Sequence, residues 1–128
     1  RLVPLVESGK LAGPEAEQAC LEYLDPLLKA GVDTIILGCT HYPFLSPVIQ
    51  ELAGEGVTLV DPAQETVDQV PGILRNLGQL NLSPKTAEPY RFYSTGAPES
   101  FFKVGKLALG DLLQQVEQIN LDQMVRSD

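Results

Sequence analysis

The sequence predicts an α/β fold built on a parallel sheet. Short β-branched apolar runs alternate with longer segments whose apolar residues recur at helical spacing. The runs end in Gly, Asp-Pro or Ser-Thr-Gly before the next helical segment. Such alternation is the pattern of βα units, in which parallel strands are joined by right-handed crossovers.

Residues 1–9 read as extended chain or loop ending at Gly9. Pro14 and Glu15 suit a first helical turn, where Pro lacks a needed N–H and a carboxylate meets the positive end of the helix. Ala16, Ala19, Cys20, Tyr23, Leu24, Leu27 and Leu28 continue that helix, and Gly31 fits the position just past its end. Pro26 lies inside the pattern and is expected to kink or split it. Residues 33–38 read as a buried parallel strand, being apolar, β-branched and bounded by Gly. Pro43 then opens a helix over 43–53 with Phe44, Leu45, Val48, Ile49 and Leu52 on one face, stopped by Gly54 and Gly56.

Val57 to Val60 reads as a second strand, and Asp61-Pro62 as the cap and first position of a helix carrying Val67, Val70, Ile73, Leu74 and Leu77, with a kink at Pro71. Residues 78–89 are a loop rich in Asn, Gly, Ser and Pro. A third strand is expected over Tyr90 to Ser94, a helix from Ser100 to Leu109 stopped by Gly110, and a last strand marked by Val116, Ile119 and Leu121. There are no internal repeats or low-complexity tracts.

Composition narrows the function classes. The chain has 128 residues, 44% of them hydrophobic, which is enough for a core and too apolar for disorder. A net charge of −8 argues against a nucleic-acid partner held through a basic surface. No apolar run approaches the roughly 18 residues of a membrane span, so no membrane partner is expected. No signal peptide is visible. Two cysteines, Cys20 and Cys39, make no disulfide framework, and a cytoplasmic, reducing setting is the simplest reading.

Chemistry concentrates at Leu37-Gly38-Cys39-Thr40-His41-Tyr42-Pro43. Cys39 falls at the carboxyl end of a strand, where open α/β sheets place ligands, and just before a helix N-terminus, which favours a thiolate. His41, the one histidine, stands two positions on and can exchange protons near neutral pH. Thr40 suits a helix cap and also contact with an anionic ligand. Cys39 and His41 supply only two ligands with no further Cys or His at metal spacing, so no metal is expected. Cys20 lies among Ala19, Tyr23 and Leu24 and is expected only to pack. Glu7, between Val6 and Ser8, reads by itself as an exposed carboxylate, and Asp61 as a cap rather than a catalyst. A hydrolase nucleophile at Cys39 is disfavoured, because the Gly-x-Cys-x-Gly elbow would need a glycine at position 41.

The seven-residue Leu37–Pro43 segment resembles the one that carries the second catalytic cysteine of glutamate racemases, in the aspartate/glutamate racemase superfamily. Val3-Pro4-Leu5-Val6-Glu7-Ser8-Gly9 is similar to the family segment that supplies an active-site carboxylate, and Val60-Asp61-Pro62-Ala63-Gln64 and Phe92-Tyr93-Ser94-Thr95-Gly96 resemble its later strand ends. The resemblance implies two facing α/β domains, here a C-terminal portion. Residues 1–56 would be the last part of the second domain and residues 57–128 the segment returning to the first, with the crossing near Gly54–Gly56.

It implies a cofactor-independent racemase that interconverts L- and D-glutamate by two-cysteine proton transfer, without pyridoxal phosphate, and supplies D-glutamate for peptidoglycan. Cys39, His41 and Glu7 would be catalytic and Thr40 substrate-binding. The partners implied are glutamate and the N-terminal half with its own cysteine, which nothing in this chain matches. Apolar faces left uncovered would seek that half, or a second copy in a homodimer. The alternatives are a racemase of aspartate or another amino acid in the same superfamily, and a noncatalytic interaction fragment.

Overall fold

The computed structural model describes residues 1–83 and 90–124. They fall into two compact units, Arg1–Ser83 and Pro84–Asp128. Both are α/β. The first contains α1 (Leu2–Glu7), α2 (Pro14–Lys29), β1 (Thr34–Ile36), a 3-10 turn (Tyr42–Leu45), α3 (Ser46–Ala53), β2 (Thr58–Val60) and α4 (Pro62–Asn76). The second contains β3 (Tyr93–Ser94), α5 (Pro98–Leu109), a 3-10 turn (Gly110–Leu112), β4 (Glu117–Gln118) and α6 (Leu121–Met124).

In the first unit β1 and β2 pair in parallel, Thr34 with Thr58, Ile35 with Leu59 and Ile36 with Val60, and the connection between them contains α3. The Leu37 amide donates to the Val60 carbonyl at 2.9 Å, so the ladder continues to the brink of Gly38. The core gathers Leu5 and Val6 of α1, Ala16, Cys20 and Leu24 of α2, Ile35 and Leu37, and Leu45, Val48 and Ile49.

Two expectations need correction here. Residues 2–7 are helical, not extended: Leu2, Leu5 and Val6 fall at positions i, i+3 and i+4 and are all buried, so a six-residue helix too short to stand alone is held by packing. Pro26 lies within an unbroken α2 and Pro71 within an unbroken α4. Each proline is exposed, so the carbonyl it frees four residues back lies on the solvent side. The apolar strand is buried on one face only. Ile35 and Leu37 are enclosed, but Ile36 is 66% exposed, because α4 buries none of its residues and leaves the other face of the pair open. The first compact unit runs on through Gly54–Gly56 to Ser83. Those glycines merely turn the chain from α3 into β2, with Gly54 at φ 81°, and pairing with β1 keeps β2 in the first unit.

In the second unit β3 and β4 are again parallel, Tyr93 beside Glu117 and Ser94 beside Gln118, with α5 in the connection. Leu113 is fully buried against α5, and a Cβ added to Gly105 would meet it at 2.6 Å. The expected last strand is shorter than its apolar residues suggested, since Leu121 opens α6, where Asn120 Oδ1 accepts the Asp122 amide at 2.9 Å. Part of the expected 78–89 loop, residues 84–89, lies outside the described residues. No described helix is long and apolar enough to cross a membrane.

Candidate active site

The site grows from the end of β1. The chain leaves Ile36 through a tight turn, the Gly38 amide donating to the Ile36 carbonyl at 3.0 Å and the Tyr42 amide to the Cys39 carbonyl at 3.1 Å. Leu37 and Leu45 are buried on either side of this turn, which anchors it and presents Cys39, Thr40 and His41 outward. Cys39 is half-buried and unpaired with Cys20. Its Sγ lies 3.9 Å from His41 Nδ1, within the reach of a sulfur hydrogen bond. Thr40 Oγ1 lies 3.4 Å from the same nitrogen. On the far side of the ring, His41 Nε2 lies 3.4 Å from Glu7 Oε1.

Glu7 reaches the ring because it is the last residue of α1, whose Leu5 and Val6 are seated in the core. The Ser8 hydroxyl donates to the Leu5 carbonyl at 2.7 Å and holds the helix end. All four site residues read from the sequence are thus brought together: Glu7, His41 and Cys39 in line, with Thr40 on the ring nitrogen that faces the thiol.

A cavity of about 230 Å³ opens beside Cys39, lined by Leu37, Gly38, Cys39 and Thr40 from one strand end and Asp61, Pro62 and Ala63 from the next. Glu7 and His41 do not line it. The sequence placed Cys39 at a helix N-terminus, but the helix that follows it in the chain is a four-residue 3-10 turn, and α3 begins only at Ser46. A helix dipole acts over about one turn, so α3 is too far along to act on Cys39. The helix start that borders the cavity is that of α4. The sequence identified its cap, and Asp61 Oδ1 does accept the Ala63 amide at 2.9 Å. What the sequence missed is that parallel pairing of β1 with β2 places this cap at the same cavity as the thiol.

Cys20 is 1% exposed on α2, and burial pushes its thiol upward. It is a packing cysteine. Among the described residues no three His, Cys, Asp or Glu side chains gather to hold a metal. The arrangement suits proton transfer. A thiol at the cavity wall can take a proton from a bound molecule and pass it to an imidazole oriented from behind by a carboxylate.

The family model for Asp/Glu/Hydantoin racemase matches residues 2–70. A glutamate racemase of Neisseria meningitidis serogroup A is 42% identical over 120 residues, covering 94% of this chain and 44% of the relative. That of Desulforudis audaxviator is 43% identical over 126 residues, covering 94% and 46%. The crystal structure of glutamate racemase from Francisella tularensis in complex with D-glutamate superposes with a TM-score of 0.81 at 32% identity, covering 95% of this chain and 45% of that one. The Thermus thermophilus enzyme in complex with β-chloro-D-alanine gives 0.79 at 34%, covering 95% and 46%. The chain spans somewhat under half the length of these relatives.

Proposed function

The chain belongs to the Asp/Glu/Hydantoin racemase family, and from that premise we propose that it carries one of the two proton-transfer faces of a glutamate racemase. The observation that carries the reading is the Glu7–His41–Cys39 line at the carboxyl end of β1, 3.4 Å and 3.9 Å between partners, with the thiol on the cavity wall.

Inverting an amino-acid stereocentre requires a base on one face of Cα and an acid on the other. In the proposed scheme the Cys39 thiolate takes the Cα proton. The S–H bond forms as the C–H bond breaks, and the electron pair stays on Cα, delocalised into the substrate carboxylate. A second acid then delivers a proton to the opposite face. In the reverse direction Cys39 is that acid. His41 Nδ1 resets the thiol by accepting or returning its proton, while Glu7 holds the ring through Nε2 and stabilises the imidazolium when it forms. Thr40 donates its hydroxyl and backbone N–H to the substrate carboxylate. The opposite base belongs to a part of the enzyme outside residues 1–128, since Cys20 is enclosed in the core. The substrate is glutamate, the product D-glutamate serves peptidoglycan assembly, and the reaction runs in the cytoplasm, where Cys39 stays reduced. The relatives' names and the D-glutamate bound in one of them support this substrate.

The test is a chiral assay of the intact protein on L- and D-glutamate and on both enantiomers of aspartate. Racemisation of glutamate with a kcat/KM well above that for aspartate is expected. Preference for aspartate would move the protein to the sister activity, and no turnover of any amino acid would refute the reading.

A further inference from the structure

We propose that Asp61 is a positioning residue for the Cys39 site, acting by fixing the first turn of α4 as the cavity's second wall. The proposal rests on the functional reading above for its kinetic consequence, and on the structure alone for its mechanical one. The cavity has two walls, the Gly38–Thr40 turn and the Asp61–Ala63 segment. The two are tied at their base where the Leu37 amide donates to the Val60 carbonyl at 2.9 Å. Asp61 is extended, at φ −96° and ψ 103°, and the chain turns into α4 immediately after it.

Pro62 has no N–H to give, so the Ala63 amide is the first donor of the helix, and Asp61 Oδ1 takes it at 2.9 Å. The first intrahelical bond, from the Glu65 amide to the Asp61 carbonyl, is long at 3.5 Å. The Thr66 hydroxyl donates to the Pro62 carbonyl at 2.6 Å and secures the far side of the same turn. The carboxylate of Asp61 therefore closes a turn that the backbone closes poorly. Without it Ala63 and Pro62 fray, the cavity widens beside Cys39, and a substrate bound there loses its fixed orientation. What is required of Asp61 is an acceptor oxygen, not a negative charge.

Asp61→Ala removes the acceptor and the charge together; Asp61→Asn keeps the acceptor and removes the charge. Two readouts are taken on the intact protein: the rate of Cys39 alkylation by iodoacetamide at fixed pH, and KM against kcat for glutamate. Cys20 is 1% exposed, and mass spectrometry of the Cys39 peptide counts its alkylation apart from that of any other cysteine of the intact protein. A lost cap typically shifts such an equilibrium about fivefold. Asp61→Ala is expected to speed alkylation about fivefold and to raise KM by a similar factor with less change in kcat, and Asp61→Asn to return both most of the way to wild type. Equal effects of Ala and Asn would show that the charge matters and overturn the proposal, as would an Ala variant indistinguishable from wild type. If Asp61→Ala fails to fold, Asp61→Asn and Asp61→Ser, which keep an acceptor oxygen without the charge, decide the matter: both are expected near wild type in alkylation rate and KM, and a change of about fivefold in both would overturn the proposal. A wild-type protein that does not racemise glutamate would refute the functional reading, while the alkylation rates would still decide the role of Asp61.

Discussion

Removing the charge of Glu7 should slow racemisation only slightly, and only while His41 is present. In the structure Glu7 Oε1 meets His41 Nε2 at 3.4 Å, and the two side chains are 52% and 26% exposed. A pair exposed to that degree is screened by water, and such contacts are worth about 0.2–1 kcal/mol. That converts to a loss of roughly 1.4- to fivefold in kcat for Glu7→Gln, which keeps a hydrogen-bond acceptor but no charge. His41→Asn removes the nitrogen that serves Cys39 and the one that meets Glu7 together, and a general acid–base group contributes about 10²–10⁴-fold. The double variant should therefore be no slower than His41→Asn alone, because Glu7 has nothing left to act through. The assay is chiral chromatography of glutamate turnover in both directions for wild type, both single variants and the double variant. A Glu7→Gln loss beyond about 50-fold, or a loss that persists undiminished on the His41→Asn background, would mean that Glu7 acts on the substrate itself, and the in-line geometry would be the wrong account.

Two glycines within helices should respond to alanine with opposite signs. A Cβ at Gly72 in α4 meets nothing within 4 Å, so Gly72→Ala should stabilise by about 1 kcal/mol through helix propensity. At Gly105 the Cβ would stand 2.6 Å from buried Leu113, so Gly105→Ala should lose about 1–3 kcal/mol to overpacking, outweighing the same gain; urea unfolding of both variants checks the pair. Burial raises the Cys20 thiol, so the folded state holds that proton more tightly than the unfolded chain. Its contribution is fully present below the ordinary thiol value of about 8.5 and is lost as pH rises from there through the folded-state value. Unfolding free energies at neutral and alkaline pH should therefore sag less in Cys20→Ala than in wild type, and an unchanged alkaline sag would contradict the burial account.

Much of this was legible in the residues. The helix from Pro14, the Asp61-Pro62 helix start and the stop at Gly110 are fixed by local chemistry, and each appears where its signals lie. The Glu7 helix was not legible: six residues containing Pro4 carry no helix signal of their own, and packing of Leu2, Leu5 and Val6 supplies what propensity does not. Cys39, Thr40 and His41 could be read because they are adjacent in the chain. Asp61 was legible as a cap, but its place across the cavity from Cys39 depends on the pairing of β1 with β2, a long-range contact that no local pattern encodes. The exposed face at Ile36 was hidden for the same reason, since an all-apolar run does not say which of its faces is covered.

The central claim is that Cys39 moves the proton at Cα. It is tested most directly by comparing glutamate racemisation by the intact wild-type protein and by Cys39→Ala, with circular dichroism of both. The thiol is half-buried at a cavity wall and carries none of the core, so the variant should keep the wild-type spectrum. Its turnover should fall to the background in both directions. A folded Cys39→Ala protein that racemises glutamate at the wild-type rate would contradict the account.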